Sequence, residues 1–210
     1  MILNLYACLG GNRYKWDEVT DCQVTAVELD PEAARLYQER FPKDTVIVGD
    51  AHEYLRVHYK EFDFIWSSPP CPTHSRFQYS MKTHREMQYP DMALYEEIIF
   101  LQAFYNGKYC VENVRPYYEP LIAPQYRHRH AYWTNFALPA ALSSRTPPPI
   151  NSKTYRQLCN FHDYDFDQYK GKQDKHKMSR NLVDYEAGRT ILETACGIIR
   201  SNNTKQLSIL

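Results

Sequence analysis

The chain has 210 residues, of which 43% are hydrophobic and 24% are charged. This is enough apolar surface for one sizeable folded domain, so the composition excludes a disordered tail or linker. No apolar run approaches the roughly 20 residues that cross a bilayer, and the opening residues lack the basic start and cleavage site of a secretory signal. The six cysteines form no CxxC pair, which argues against a disulfide framework and predicts reduced thiols in a cytoplasmic protein.

The formal net charge is zero, but the charges are unevenly distributed along the chain. Residues 1–114 carry 11 basic and 17 acidic side chains, whereas residues 115–180 carry 11 basic and 5 acidic ones. The second stretch is also rich in tyrosine and histidine, a mixture suited to phosphates and bases. It is therefore the predicted contact region for a nucleic acid, and a solvated basic surface without a partner is the alternative interpretation.

The first 114 residues alternate between short apolar runs and amphipathic stretches, which predicts an α/β fold with a mostly parallel sheet and helices on both faces. The predicted strands are ILNLYA, QVTAVEL, DTVIVGD, FDFIWSS and KYCVENV. Asp30 and Pro31 form a helix start, after which apolar residues recur on one helical face as far as Phe41. A second helix is predicted after Asp91 and stops at Gly107. The polar stretch from 72 to 90 before the second helix is predicted to be a long loop, and loops of this length are usually functional or disordered.

Beyond residue 124, the run HAYWTNFAL predicts another strand, and three consecutive prolines then end the regular structure. Residues 151–178 show little periodicity, so we expect them to pack on the main domain instead of forming a core of their own. The chain then returns to helical spacing, which predicts a helix packed back on the core. Its apolar face contains Ala187, Ile191, Leu192, Ala195 and Ile198.

Polar or glycine residues follow the first three predicted strands. Gly10 and Gly11 come after the first strand, Glu28 ends the second, and Asp50 follows the third. The carboxyl ends of parallel strands meet at one edge of the sheet, where glycine lets the backbone approach a ligand and a carboxylate can accept hydrogen bonds from ribose hydroxyls. Together these residues predict a site for a nucleoside-containing cofactor.

A cysteine follows the fourth predicted strand. Cys71 lies between Pro70 and Pro72, and the fixed φ angles of the two prolines hold its thiol in one direction beside the predicted cofactor site. A buried structural cysteine is the alternative, but few packing roles need a cysteine between prolines. The pattern favours a catalytic nucleophile.

Two further motifs supply an acid and two cations. Glu112 stands near the end of the fifth predicted strand with Asn113 beside it, in apolar surroundings that favour a protonated, hydrogen-bond-donating carboxyl. Arg127 and Arg129 alternate on a predicted strand, so both guanidinium groups are expected on the same face. There they can clamp a phosphate or a base carbonyl.

Taken in order, these motifs resemble those of the cytosine-C5 DNA methyltransferases. The resemblance runs through YACLGG, VELDPEA, GDA, PPC, ENV and QYRHR, and SRNLVD is similar to a late motif of that family. It implies a class I S-adenosylmethionine-dependent methyltransferase with a Rossmann-like fold and a small irregular basic recognition segment. It further implies S-adenosylmethionine as the cofactor, S-adenosylhomocysteine as the product, and no metal.

The resemblance also implies roles for individual residues. Cys71 would attack C6 of a cytosine flipped out of double-stranded DNA, Glu112 would hold N3 and the exocyclic amine, and Arg127 and Arg129 would support the thiolate and the ring. The cofactor would contact Tyr6, Ala7, Cys8, Leu9, Gly10, Gly11, Glu28, Leu29, Asp50, Ala51, Pro70, Asn181 and Val183. The nucleic acid would contact Ser75, Arg76, Gln125, Arg127, Arg129, Arg145, Lys153 and Arg156.

The chain is much shorter than typical members of that family. We expect a catalytic core over residues 1–137, a reduced target-recognition segment over 138–178 and a returning helix over 179–210. So short a recognition segment implies a short recognised site, a homodimer or a helper subunit. The resemblance is to enzymes of prokaryotic or phage-infected cells, as part of a restriction–modification system or as an orphan enzyme.

Four positions depart from the family pattern. Cys8 replaces a glycine of the first motif, Pro72 and His74 replace Gln and Phe after the nucleophile, and Arg180 replaces a glycine of the late motif. These changes affect the cofactor side and the loop, while the thiol and the acid are retained.

Three alternatives remain open on the sequence. SSPPC is one residue from the Ser-Pro-Pro-Tyr motif of exocyclic-amino DNA methyltransferases, although a cysteine cannot stack on a flipped base. The same thiol chemistry could act on tRNA. A catalytically inactive nucleic-acid-binding relative is the third.

Overall fold

The computed structural model describes residues 1–80, 86–149 and 154–198. In these ranges the chain forms one seven-stranded sheet. Its strands are β1 Ile2–Leu5, β2 Val24–Glu28, β3 Thr45–Val48, β4 Phe64–Ser67, β5 Lys108–Val114, β6 Gln125–Arg127 and β7 His130–Thr134. The five runs predicted in the first 114 residues all contain strands, as does HAYWTNFAL.

The strand order is β3-β2-β1-β4-β5-β7-β6, and β1 to β5 are parallel. Only β7 runs antiparallel to its neighbours β5 and β6 among the described strands. Leu5 at the end of β1 pairs with Val27 on one side and Ser67 on the other. The strand order reverses between β1 and β4, and such a reversal opens a crevice at the carboxyl ends of the strands.

Helices cover both faces of the sheet, as predicted. Their bounds are α1 Pro31–Arg40, α2 Ala51–His58, α3 Phe77–Ser80, α4 Ala93–Phe104, α5 Tyr155–His162, α6 Lys175–Asn181 and α7 Tyr185–Ala195. The predicted start of α1 is confirmed, because the Asp30 side chain accepts hydrogen bonds from the backbone of Glu32 and Ala33. Asp50 caps α2 in the same way through the backbone N–H of Glu53.

Two main hydrophobic clusters lie on opposite faces of the sheet. One packs α2 and α4 against β1 through residues such as Leu55, Ile98 and Leu5. The other packs α7 against β4 through Ile191 and Trp66. The packing of the closing helix on the core is thus confirmed. The prediction for Ile198 is wrong: α7 ends at Ala195, and Ile198 is exposed.

Residues 154–178 pack on the main domain, as expected. Phe166, Tyr169 and Met178 are buried in a third cluster with Leu9 and Leu36. The segment nevertheless contains α5 and the start of α6, which the weak periodicity did not predict. These short helices belong to the same cluster through Tyr155 and Cys159 of α5 and Met178 of α6, and this tertiary packing stabilises them.

Two further findings concern membrane-spanning helices and metal sites among the described residues. In the described part of the chain, no helix combines the length and the apolar character that a membrane span needs. The described residues also contain no group of three or more side chains able to hold a metal ion.

Candidate functional site

A large cavity opens at the carboxyl ends of the parallel strands and has a volume of about 1770 Å³. Every parallel strand contributes to its wall: Tyr6 follows β1, Glu28 ends β2, Asp50 follows β3, Cys71 follows β4 and Glu112 lies in β5. Residues separated by up to 106 positions therefore meet at one edge of the sheet. The predicted cofactor acids, thiol and catalytic acid share this single cavity.

The loop carrying Cys71 is held by three backbone contacts. The side-chain amide of Asn113 donates to the carbonyl of Pro69 at 2.9 Å. The backbone N–H groups of His74 and Ser75 both donate to the carbonyl of Cys71 at 3.1 Å. Because Asn113 belongs to β5, the position of the thiol is tied to the strand that carries Glu112.

The thiol of Cys71 is partly buried, and its environment keeps it protonated near neutrality. Burial, followed by the negative charge of Glu112, raises its pKa to about 11, while Lys177 and Arg129 act in the opposite direction. The cations expected beside the nucleophile are present, but they do not outweigh desolvation in the free protein. Additional positive charge near Cys71 would lower this pKa, whereas further loss of water would raise it.

Glu112 has a close partner that the motif search missed. Nδ1 of His130 lies 2.5 Å from Oε1 of Glu112. His130 begins β7, which pairs antiparallel with β5. The residue types alone do not reveal this contact; only the register of β7 against β5 creates it.

The predicted alternation of Arg127 and Arg129 on one strand is wrong. β6 ends at Arg127, which pairs with His130, so His128 and Arg129 form the turn between β6 and β7. His128 has a φ of +52°, typical of such tight turns. The turn reverses the chain between the two arginines, so their guanidinium groups lie in different places and have different partners.

The two arginines consequently have different surroundings. Arg129 lies in the cavity wall, and its Nη2 donates to the carbonyl of Arg180 at 3.4 Å. Arg127 donates instead to the carbonyls of Tyr126, Leu138 and Pro139 at 2.6 to 2.7 Å. Arg127 therefore anchors the chain that follows β7 and is not among the described wall residues.

The acid at the end of β2 is held by the backbone. Glu28 accepts hydrogen bonds from the N–H groups of Cys8 and Asp30 at 2.8 and 2.9 Å. Burial, opposed by these hydrogen bonds, raises its pKa. The next residue, Leu29, is 69% exposed, which gives the cavity an apolar surface beside a carboxyl group.

The glycine loop divides into residues inside and outside the cavity wall. The wall contains Tyr6, Ala7, Cys8 and Gly11, together with Ala51, Pro70, Asn181 and Val183 from elsewhere in the chain. Leu9 and Gly10, also predicted to contact a cofactor, are not among the described wall residues; Leu9 is fully buried in the cluster beneath α5 and α6. A Cβ on Gly10 would lie 2.3 Å from the Phe41 ring.

Gly11 explains how the late motif reaches the cavity. A Cβ at this position would lie 2.5 Å from both the Leu182 side chain and the Val183 carbonyl. Only glycine lets the segment after α6 pack against the loop after β1 at this distance. The segment from Arg180 to Val183 thus closes the cavity opposite the strand ends.

The predicted nucleic-acid contacts separate into three groups. Ser75 and Arg76 line the cavity, Arg156 is exposed on α5 outside the wall, and Lys153 lies outside the described residues. The side chains of Gln125 and Arg145 are engaged within the protein, and their contact with a nucleic acid stays a prediction.

The partners of the Gln125 and Arg145 side chains lie within the same chain. The Gln125 amide nitrogen donates to Thr134 Oγ1 and the carbonyl of Phe136, at 2.7 and 2.8 Å. Arg145 pairs with Asp184 at 2.7 Å and lies over the Phe161 and Tyr185 rings. Both are tertiary links in this structure.

Sequence analysis also missed a buried carboxyl beneath the cavity. Glu97 of α4 is fully buried, accepts a hydrogen bond from Ser67 Oγ at 2.6 Å and one from the Tyr6 hydroxyl, and lies 3.2 Å from His52 Nδ1. The hydrogen bond to Glu97 is the main cause that raises the pKa of His52 to about 9. A signal was available, because Glu97 lies three residues after Leu94 and four before Leu101 on the apolar face of α4.

Comparison with known proteins agrees with this geometry. The family model described as C-5 cytosine-specific DNA methylase matches residues 1–119. No curated protein matches the chain.

Among solved structures, the Entamoeba histolytica methyltransferase EhMeth is similar at a TM-score of 0.55 and 10% identity, covering 95% of this chain and 98% of that one. A variant of Spodoptera frugiperda DNMT2 is 24% identical with a TM-score of 0.41 and covers 54% of this chain. The match spans only 35% of that DNMT2 chain.

Proposed function

Since the chain belongs to the C-5 cytosine-specific DNA methylase family, we propose that it methylates C5 of cytosine in DNA through a transient covalent bond from Cys71. The fold is that of class I S-adenosylmethionine-dependent methyltransferases. The observation that carries the proposal is that Cys71 and Glu112 line one cavity together with the acids that follow β2 and β3.

S-adenosylmethionine is the methyl donor of this family and, when bound, supplies an electrophilic methyl group. The residues after β1, β2 and β3 fit it. Glu28 keeps unused lone pairs for ribose hydroxyls, because a carboxylate has more acceptor positions than the two backbone N–H groups occupy. Leu29 offers an exposed apolar surface to a base ring, and Asp50 adds a second carboxyl group to the wall.

Cys71 performs the first step on the cytosine. Its thiol gives its proton to solvent water, and Sγ bonds to C6. The electrons of the C5=C6 double bond then form a C4=C5 double bond, and those of the C4=N3 bond move to N3, which takes a proton from Glu112. C5 is now a carbon nucleophile and accepts the methyl group. A base then removes the C5 proton, C5=C6 reforms, Cys71 leaves as the thiolate, and N3 returns its proton to Glu112.

The target base must leave the helix for this attack, because C6 is covered by neighbouring bases in a duplex. The cavity is large enough for a nucleoside cofactor and an extruded base together. Arg76, Arg129 and Lys177 place basic side chains in the described wall, and Arg129 and Lys177 act electrostatically on Cys71. Basic groups at this wall suit the flanking phosphates. Help from a second copy or another subunit in recognising the site belongs to the same proposal.

Trapping on an oligonucleotide containing 5-fluorocytosine tests the covalent step. The fluorine cannot be removed as a proton is, so we expect the full chain, incubated with S-adenosylmethionine, to form a stable adduct. Cys71→Ser should abolish the adduct and lower methyl transfer by about 10³-fold or more. Cys22→Ser is the matched control, because Cys22 is an exposed thiol outside the cavity wall.

The substrate is tested by incubating the protein and methyl-labelled S-adenosylmethionine with DNA duplexes, with DNA single strands of the same sequence and with tRNA. The position of the labelled methyl group in each nucleic acid is then determined. Methyl on C5 of cytosine in duplex DNA supports the proposal. Methyl only in tRNA replaces DNA with RNA as the substrate, and methyl on the exocyclic amine contradicts the thiol mechanism. Tight binding with no adduct and no methylated base in any substrate identifies an inactive binding protein.

A further inference from the structure

His130 and Glu112 form a diagonal pair across two strands. His130 is directly opposite Val114 in the antiparallel register, so it shares a face of the sheet with Glu112, two residues before Val114. Nδ1 of His130 lies 2.5 Å from Oε1 of Glu112, and the two side chains are only 20% and 9% exposed. A short hydrogen bond in such a poorly solvated place is stronger than one in water.

The neighbouring arginine determines the direction of this hydrogen bond. Nε of Arg129 donates to Nε2 of His130 at 3.2 Å. A guanidinium group has no acceptor, so Nε2 must be the acceptor and carries no hydrogen in the neutral ring. The ring hydrogen is therefore on Nδ1, which donates to Glu112.

Glu112 has one oxygen engaged and one available. Oε1 accepts from His130, whereas none of the hydrogen bonds among the described residues involves Oε2. Glu112 lies in the cavity wall beside Cys71. An imidazole that holds Oε1 leaves Oε2 as the oxygen that can face a substrate.

We propose that His130 is a positioning residue that acts through Glu112, an inference that rests on the proposed function. When Cys71 adds to C6, the Oε2–H bond of Glu112 breaks and an N3–H bond forms, leaving a carboxylate. The Nδ1–H of His130 stabilises that carboxylate and fixes the plane of the carboxyl group. On release of Cys71 the proton returns from N3 to Oε2, while the Nδ1 proton stays on the imidazole throughout.

Two polar variants of similar size test the proposal. In His130→Asn the amide nitrogen stands near the position of Nδ1 and can donate to Glu112. In His130→Gln the amide stands near the position of Nε2, where its oxygen can accept from Arg129, and no donor replaces Nδ1. We expect the Asn variant to keep kcat for cytosine methylation within about fivefold of the wild type. The Gln variant should lose about tenfold to hundredfold in kcat, less than removal of a general acid itself. The KM for S-adenosylmethionine should change by less than about threefold in both.

A matched control and a double variant separate positioning from folding. His58 Nδ1 pairs with Glu61 at 2.8 Å outside the cavity wall, so His58→Gln should leave kcat unchanged. Glu112→Gln combined with His130→Gln should be no slower than Glu112→Gln alone, because His130 acts only through that carboxyl. Thermal unfolding of each variant measures any loss of structure.

The outcomes are distinguishable from those of the proposed function. Equal kcat values for the Asn and Gln variants overturn the role of His130, as does an additive loss in the double variant. Both results can occur while the wild type still methylates cytosine and still forms the adduct on 5-fluorocytosine. Absence of both activities in the wild type overturns the proposed function itself.

Discussion

The two halves of the cavity are built in different ways. On the side of β1, β2 and β3, backbone groups position the acids: Glu28 is held by two N–H groups and Asp50 by a helix start. On the side of β4, β5 and β7, side-chain contacts between distant residues hold the groups in place: Asn113 holds the Cys71 loop through the Pro69 carbonyl, and His130 holds Glu112. The first half depends on local chain geometry, and the second depends on strand register.

This difference has a chemical consequence. The half that we propose for the cofactor is fixed without a ligand, whereas the thiol of Cys71 is protonated in the free protein, with a pKa raised to about 11 chiefly by burial. Cys8 in the other half is still less acidic, because burial and Glu28 raise its pKa to about 12. The thiol that we propose as the nucleophile is thus held in position while it is still protonated.

The largest effect is expected where the two halves share a support. Glu97 binds Ser67 at the end of β4 and Tyr6 after β1, so Glu97→Leu leaves buried polar groups in both halves without a partner. We expect a loss of about 3 kcal/mol in the free energy of unfolding, measured with urea. Glu96→Leu, one residue away on the exposed face of α4, should change stability by less than about 0.5 kcal/mol. Equal losses would remove Glu97 as the shared support.

The same cluster predicts a pH dependence. Hydrogen bonding to Glu97 raises the pKa of His52 from 6.5 to about 9, so the protonated imidazole is favoured in the folded state. Its contribution to stability is complete below about pH 6.5 and is lost as the pH rises towards 9. Urea midpoints across this range should fall for the wild type more than for His52→Gln. Parallel pH curves for the two proteins would contradict this assignment.

A smaller effect tests whether local geometry builds the first half. Gly10 has a φ of +68°, and an added Cβ would meet the Phe41 ring at 2.3 Å. Gly10→Ala should therefore cost about 2 kcal/mol in unfolding free energy. Gly49→Ala is the matched control, since its Cβ would meet only Ile47 at 3.9 Å. If both variants unfold at the same urea concentration, the tight turn is not a support of this half.

The smallest effect concerns the charges around Cys71 in the second half. Glu112 raises its pKa and Lys177 lowers it. Glu112→Gln should therefore increase alkylation of Cys71 by iodoacetamide at pH 8 by about threefold, and Lys177→Met should decrease it by a similar factor. In the wild type the rate should rise about tenfold per pH unit below the pKa. Peptide mass spectrometry separates alkylation of Cys71 from that of the exposed Cys22, whose rate should be the same in both variants as in the wild type. A slower reaction of Cys71 in Glu112→Gln would contradict the electrostatic assignment.

Much of the strand edge of the cavity, in both halves, was accessible to sequence reasoning. Short apolar runs predicted β1 to β5, and the residues after each run necessarily meet at one edge of a parallel sheet. The prolines around Cys71 predicted a thiol at that edge for the same reason. The motifs then pointed to the family that the match over residues 1–119 supports.

Several residues predicted to contact a nucleic acid have partners elsewhere in the chain that their residue type does not reveal. Gln125, Arg127 and Arg145 have the composition expected of a nucleic-acid surface, yet their side chains bind carbonyls, a hydroxyl and a carboxylate of the same chain. A side chain's type states what it can bind, but not which partner lies within reach. Leu9 and Gly10 are not among the described wall residues, because neighbours in one loop can face opposite directions, and their contact with a cofactor stays a prediction.

The sequence by itself determined the positions of β1 to β5 along the chain, and the acids and the thiol at their carboxyl ends that we propose for the cofactor and the nucleophile. Each of these depends on a few consecutive residues. Only the tertiary structure decided that a two-residue turn separates Arg127 from Arg129, that Glu97 lies beneath both halves, and that His130 meets Glu112. These contacts depend on strand register and on helix packing. Both are set by the burial of the whole apolar surface, which no short segment of the chain encodes.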